Sequence, residues 1–350
     1  MKLLFITKKV DLDDDVLGVY YSWMTALAQK FDEVFVICLY YVKSELPSNV
    51  SVFSLGKESG QSRLKYVFSF YKYIWELRKD YDTVFVHMNP VYIVLGGLLW
   101  KLCGKRISLW YNHPLGNFTA RIGIALADKV FCTSNYAFAH RYKKTKIMPV
   151  GVDVSLFRPI VGTVRKRNRI LYLGRISPIK KIENLIEAVK VLDGRGINFA
   201  LLIVGSPVFG KDKFYESKLK SMSSDLMSAG KICFLPGVPN HKTPAIYSSS
   251  DLFVNLTPTG SFDKTTLEAM ACKTPVLVSN RVFESFFPPE VRQICMFNES
   301  STDDLPNKIE SILALSEYRR QELSKYLREI VVNHHSLNHL IEQLGIALAF

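Results

Sequence analysis

Residues 251–280 read DLFVNLTPTGSFDKTTLEAMACKTPVLVSN, and the fold follows from how that stretch is parsed. The apolar run Leu252 to Leu256, held between Asp251 and Thr257-Pro258-Thr259-Gly260, predicts a buried strand that ends in a turn. Lys264 to Cys272 carries Leu267, Met270 and Ala271 on one helical face, and Pro275 to Val278 is a second apolar strand. Strand, loop, helix, strand makes a βαβ unit. In such units ligands sit beyond the carboxyl ends of the strands, where a helix amino terminus offers free N–H groups to an anion. Gly260, Ser261, Phe262, Asp263 and Lys264 occupy that place, and Glu268 lies about one turn further on. The plainer alternative is an ordinary polar loop followed by a solvated glutamate.

Composition sets the bounds around this unit. A chain of 350 residues is long for one α/β sheet and suits two domains. A hydrophobic share of 48% against 22% charged residues excludes a disordered chain. The six cysteines form no CxxC pair and fall mostly inside apolar runs, so they read as core residues of a reducing compartment, with no zinc site. The longest apolar run, Val91 to Trp100, is about half of a membrane span, and Leu3 to Ile6 is too short for a signal segment. A cytoplasmic protein is expected. Net charge is +13, and residues 1–150 hold 20 basic and 12 acidic side chains, an excess of 8 that leaves 5 for the rest. Such a balance favours anionic partners.

Outward from the opening stretch, the first half predicts strands at Met1 to Thr7, Glu33 to Leu39, Val50 to Leu55, Thr83 to His87, Ile107 to Tyr111 and Lys129 to Cys132, with helical patterns between them. That alternation points to a parallel sheet. The DLDDD loop after the first strand only superficially resembles a calcium loop, because Val16 stands where glycine is needed, and it reads as an acidic surface loop. Gly18 opens the next helix, so its backbone can approach a phosphate. Arg63 to Lys79 (RLKYVFSFYKYIWELRK) is an aromatic helix with interspersed basic residues; core packing is favoured over an anionic membrane surface. His87 and His113 both follow strands and are candidates for a crevice.

The periodicity lapses over Lys146 to Arg169, which places an interdomain hinge there. A second set of strands follows at Ile170 to Leu173, Phe199 to Val204 and Ile232 to Leu235, with a further one near Gln293 to Phe297. Gly174 allows a tight exit from the first of these. Arg175 and Lys180 then flank a short loop before a helix, a plausible diphosphate clamp of guanidinium and ammonium. Helices are expected at Thr302 to Leu315, Glu317 to Val332 and Leu337 to Phe350.

Taken in order, PVGVDVSLFRP (149–159), LGRISPIKKIENLIEA (173–188), LLIVGSP, ICFLPGVPNHKTPAIYSSSDLFV and GSFDKTTLEAMACKTPVLVSN (260–280) resemble the family 4 glycosyltransferases with the two-domain GT-B fold. The resemblance covers nearly the whole chain. It implies an α/β protein of two doubly wound Rossmann-like domains facing across a cleft: 1–155 on the acceptor side, 156–325 binding the nucleotide sugar, and 326–350 as terminal helices returning to the first domain. It also implies a retaining transferase in which Arg175 and Lys180 bind the donor diphosphate and Glu268, the second acid of a Glu, seven residues, Glu motif, holds the ribose. Gly237 and Val238 would lie along the base, His113 near the sugar and acceptor, and Gly18 and Gly174 near the diphosphate, with Ser261, Phe262 and Thr265 completing the donor loop.

Two departures matter. Gly260 stands where the family usually has its first glutamate, and Asp263 and Lys264 replace the usual residues after Phe262, so Asp263 is expected to take over a hydroxyl contact and Lys264 to supply phosphate charge. Lys181 replaces a usual glycine. The implied co-substrate is a UDP- or GDP-sugar with no metal required. The expected acceptor is a glycan or lipid-linked glycan of cell-surface polysaccharide or glycolipid synthesis, and an anionic membrane surface is a further candidate partner for a peripheral protein. Two alternatives stay open: a catalytically impaired sugar-nucleotide binder, motivated by Gly260, and a nucleic-acid binder, motivated by charge alone and opposed by dispersed basic residues.

Overall fold

Continuous apolar runs in parallel strands need cover on both faces, and both halves of this chain supply it. The computed structural model describes residues 1–14, 17–42, 45–260, 262–299, 301 and 303–349. Ser261, Val16, Thr302 and Phe350, on which expectations above rest, lie outside the described residues. The chain divides into two units: Met1–Gly151 with Gly260–Phe262 and Leu337–Phe350, and Val152–Thr259 with Asp263–Ser336.

The first unit holds a seven-stranded parallel sheet of β1 (Leu3–Val10), β2 (Val34–Tyr41), β3 (Val50–Ser54), β4 (Thr83–His87), β5 (Arg106–Trp110), β6 (Lys129–Cys132) and β7 (Thr145–Ile147), in the order β3-β2-β1-β4-β5-β6-β7. Helices α2 (Arg63–Glu76), α3 (Val91–Leu102) and α4 (Phe118–Leu126) pack one core; α1 (Val19–Ala28) and the terminal helix α13 (Leu337–Ala349) pack the other. Leu340, Leu344 and Leu348 are buried against this second core, and Lys129 Nζ donates to the Ala347 carbonyl, 2.8 Å, near the end of α13.

The second unit holds β8 (Arg169–Leu173), β9 (Ala200–Val204), β10 (Ile232–Leu235), β11 (Leu252–Asn255) and β12 (Val276–Val278), all parallel, in the order β10-β9-β8-β11-β12. Around it lie α5 (Ile182–Gly194), α6 (Gly210–Met222), α7 (Ser224–Ser228), α8 (Pro244–Ser248), α9 (Lys264–Ala271), α10 (Pro289–Cys295), α11 (Asp304–Leu313) and α12 (Glu317–Ile330). At the amino edge Asp251, just before β11, takes the Asn168 backbone N–H and a buried ion pair from Arg320 Nη1 at 2.7 Å.

Several expectations are corrected here. Gln293 to Phe297 is not a strand: Pro289 at the first helical position presets the backbone and Val291 and Cys295 bury one face, so Pro289–Cys295 is helical, with a single bridge left at Met296. The short β7 straddles the start of the segment assigned to the hinge; the two residues before it are lysines, which hides an edge strand from a hydrophobic pattern. Helix α12 belongs to the second unit, and the return to the first begins at Leu337 rather than at 326. The aromatic stripe of α2 divides: Phe70 and Ile74 are buried, whereas Leu64 (83%), Phe68 (73%) and Trp75 (52%) are exposed.

Two lysines adopt left-handed backbone, Lys181 (φ +47°) before α5 and Lys273 (φ +58°) after α9. A side chain in that region costs about 1–2 kcal/mol relative to glycine. Lys181 also pairs with Glu299 at 2.7 Å on an exposed surface, a contact worth at most about 1 kcal/mol. Lys273→Gly is therefore expected to stabilise the protein by about 1 kcal/mol and Lys181→Gly by less, read as urea midpoints. A lower midpoint for Lys273→Gly would contradict the left-handed cost.

Candidate functional site

Because β8 and β11 are neighbours, pairing Leu252 with Ile170 and Phe253 with Leu171, the loops that leave their carboxyl ends emerge side by side. From β8 come Gly174, whose N–H donates to Val204 O (3.0 Å), Arg175, and a short turn ending at Lys180. From β11 comes the loop to α9, capped by Asp263. These two exits bring Arg175, Lys180, Asp263, Lys264, Thr265 and Glu268 to one edge of the second sheet.

The Lys180 ammonium donates to Asp263 Oδ2 and, at 2.9 Å, to Thr257 Oγ1. Thr257 Oγ1 in turn donates to Asp263 Oδ2 (2.8 Å), and Thr265 Oγ1 donates to Asp263 Oδ1 (2.8 Å). The Lys180 and Asp263 side chains are each only 16% exposed. Burial by itself would raise the Asp263 carboxyl, but the Lys180 charge and the hydrogen bonds from Lys180, Thr265 and Asn255 hold it well below the ordinary carboxylate value. Across the loop, Arg175 is half-buried and its Nε has no hydrogen-bond partner among the described residues.

Glu268 is 2% exposed, so the solvated-glutamate alternative does not hold. Its Oε1 accepts from Asn240 Nδ2 (3.0 Å) and its Oε2 from the Tyr247 hydroxyl (3.2 Å). One turn earlier on α9, Lys264 buries its Nζ. Burial pushes the Glu268 carboxyl up, opposed by Asn240, the Lys264 charge and Tyr247; burial pushes the Lys264 ammonium down, opposed by Glu268. Gly237 donates its N–H to Ser206 Oγ (2.8 Å) beyond β10, with Val238 half-buried beside it.

The first unit places its candidates differently. His87 is buried among Tyr20, Trp23 and Phe5, with the Tyr20 ring centroid 4.1 Å away, so it is a core residue and not a crevice residue. His113 is exposed in the loop after β5, and its Nδ1 accepts from the Leu115 N–H at 3.0 Å. Gly18 donates its N–H to Asp14 O (3.1 Å), and a Cβ there would stand 2.6 Å from that same carbonyl oxygen. Close backbone packing thus accounts for the glycine at 18. Asp11 and Asp14 pair with Lys9. Among the described residues no three His, Cys, Asp or Glu side chains gather as a metal site. Gly260 has φ +137° and Phe262 is half-buried; a Cβ at 260 would come within 3.0 Å of Pro114 Cβ.

Sequence reasoning missed Asn240, Tyr247, Thr257 and Asn255. Asn240 and Tyr247 lie in a stretch that carries the family resemblance, and Asn255 and Thr257 sit where β11 ends, so position was a usable signal. Their partners were not, since those pairings depend on how the strands are ordered.

Residues 153–330 match the family model described as Glycosyl transferases group 1. Over 149 residues the chain is 27% identical to the D-inositol 3-phosphate glycosyltransferase of Acidothermus cellulolyticus, a match covering 39% of this chain and 33% of that protein. The chain thus spans about a third of the length of the curated relatives it matches. Anabaena HepE, solved in complex with UDP, is similar in structure at a TM-score of 0.78 and 16% identity over 100% of both chains. Sucrose-phosphate synthase from Thermosynechococcus elongatus gives 0.78 and 18% identity over 99% of this chain and 98% of that one. At such identities the likeness is one of fold, the GT-B fold of two parallel-sheet α/β domains.

The depressed Asp263 carboxyl has a consequence for acid stability. Its contribution is present above the ordinary value of 3.8 and is lost as pH falls through the lower folded value. Wild type should therefore exceed Asp263→Asn by on the order of 2 kcal/mol above about pH 5, and the gap should begin to narrow below about pH 4 and shrink progressively as the pH falls further. Urea unfolding across that range checks it; a gap that does not vary with pH would remove the ionised pair from the account.

Proposed function

The chain belongs to the group 1 glycosyl transferases, and from that premise we propose that it moves a sugar from a nucleoside-diphosphate donor to a glycan or lipid-linked acceptor with retention at the anomeric carbon, as a family 4 enzyme would. The observation that carries this reading is the convergence of Arg175, Lys180 and the amino terminus of α9 at the carboxyl ends of β8 and β11. Breaking the bond to the anomeric carbon builds negative charge on the departing diphosphate. Preorganised cations and helix N–H groups aimed at that charge lower the barrier. Arg175, with a buried Nε that has no hydrogen-bond partner among the described residues, is suited to that task.

Glu268 would take the ribose hydroxyls, its orientation set by Asn240 and Tyr247. Gly237 and Val238 would face the base. In this reading the acceptor hydroxyl attacks from the leaving-group side and a phosphate oxygen takes its proton, so no side chain need serve as base. His113 would orient acceptor or sugar. The two cationic side chains supply the charge the leaving group needs, and no metal is assigned a role. The relatives and neighbours support the donor class by what they are: the solved HepE structures hold UDP and UDP-glucose.

The exposed face of α2 supports an acceptor met at a membrane. Leu64, Phe68, Tyr71 and Trp75 are exposed there among Arg63, Lys65 and Lys72, with Arg78 just beyond the helix, the pairing of apolar and cationic groups that binds an anionic bilayer. No described helix is long and apolar enough to cross one.

A thermal-shift screen with UDP, GDP, ADP and their sugars tests the donor class. One nucleotide series should raise the midpoint, since a ligand that binds only the folded state stabilises it by mass action. With that donor in hand, Arg175→Ala should lower kcat/KM by about 100-fold; an unchanged value would exclude Arg175 from leaving-group stabilisation. In flotation assays at low salt the protein should rise with phosphatidylglycerol vesicles and lose that behaviour in Phe68→Glu/Trp75→Glu. Recovery of wild type only in the soluble fraction would contradict the membrane reading.

A further inference from the structure

We propose that Asp263 is a built-in counterion for Lys180, holding the ammonium in place of a donor phosphate oxygen, so that a nucleoside diphosphate must compete with this carboxylate for the lysine. The inference rests on the nucleotide-sugar reading above. It differs from the expectation that Asp263 contacts a sugar hydroxyl, because the observed contacts engage both carboxylate oxygens within the protein.

The geometry is that of a closed ring. Lys180 has three N–H donors; one goes to Asp263 Oδ2 and one to Thr257 Oγ1 at 2.9 Å, and Thr257 closes the ring by donating to Asp263 Oδ2 at 2.8 Å. Thr265 Oγ1 holds the other carboxylate oxygen at 2.8 Å. A pair this sheltered is weakly screened by solvent, so the positive charge of Lys180 is largely spent before any ligand arrives. Among the described residues Arg175 forms no such ion pair, and its Nε has no hydrogen-bond partner. An arriving diphosphate is therefore expected to bind first to Arg175 and to gain Lys180 only by displacing or sharing Asp263.

The same competition acts in reverse. Once the sugar has left, the carboxylate retakes Lys180 and weakens the hold on the product diphosphate. Asp263 is thus a positioning residue that trades affinity for release, not a group that touches the reacting atoms.

Binding of UDP, GDP and ADP, each measured by calorimetry on wild type, Asp263→Asn, Lys180→Met and the double variant, decides the matter. Asn keeps the shape and the helix-capping acceptor and removes the charge; Asp263→Ser, which also caps, is the second variant should Asn disturb folding, and melting curves verify both. Asp263→Asn should tighten the bound diphosphate at least about 10-fold, and Lys180→Met should then cost at least about 10-fold in the Asn background but under about 3-fold in wild type. The corresponding nucleoside, which lacks phosphates, should bind wild type and Asp263→Asn alike, a result that a merely structural role for Asp263 would not give. Equal costs of Lys180→Met in both backgrounds, or no tightening in Asp263→Asn, overturn the counterion while leaving nucleotide binding intact. Binding that appears only in Asp263→Asn supports it strongly; no binding in any variant overturns both this inference and the reading beneath it.

Discussion

Everything in the second unit depends on β11 pairing with β8 instead of continuing the sequential order of β8, β9 and β10. That single choice, made by two registered residue pairs, reverses the direction in which strands are added and opens a crevice between the loops that leave β8 and β11. Neighbouring parallel strands lie about 5 Å apart, so the turn that ends at Lys180 and the loop capped by Asp263 meet within side-chain reach. Had β11 been added beyond β10, Lys180 and Asp263 would sit on opposite sides of the sheet and neither burial nor pairing of those charges would be affordable.

The resulting edge buries charge in two distinct ways. Asp263 is satisfied by a full complement of donors, one of them cationic, and stays ionised. Glu268 has neutral donors, Asn240 and Tyr247, at each oxygen, with Lys264 one turn away as the nearby charge. The first arrangement stabilises a fixed charge, whereas in the second burial works against the charged form of both Glu268 and Lys264. Exposed pairs such as Lys181 with Glu299 are of a different order, contributing about 1 kcal/mol or less.

Much of this was legible from sequence because parallel strands buried on both faces print as unbroken apolar runs. The runs at Thr83 to His87 and Leu252 to Asn255 are of this kind, and so their positions were readable within a residue or two. Motif spacing also located Arg175, Lys180 and Glu268. What stayed hidden was set by tertiary pairing or by backbone geometry. Nothing local in TPTG or in GVPNHK says that Thr257 will bridge Lys180 and Asp263, or that Asn240 will face Glu268. Gly18 looked like a phosphate-facing glycine, yet the approach of Leu12 and Asp14 carbonyls already requires it. His87 ended a strand as a site residue would, but its ring fits an aromatic enclosure. The strand expected near Gln293 to Phe297 falls on the end of helix Pro289–Cys295, because a short apolar run does not by itself reveal its period.

The buried tie between Asp251 and Arg320 gives the second sheet an uneven stiffness. It fastens the entry of β11 to α12, and Asp251 also takes the N–H of Asn168 at the entry of β8, so the rear of both central strands is gripped by one carboxylate. Breaking such a pair from one side costs several kcal/mol. The rear of the sheet is thereby fastened independently of its ligand-facing edge, where a different buried pair, Lys180 with Asp263, ties a different set of loops.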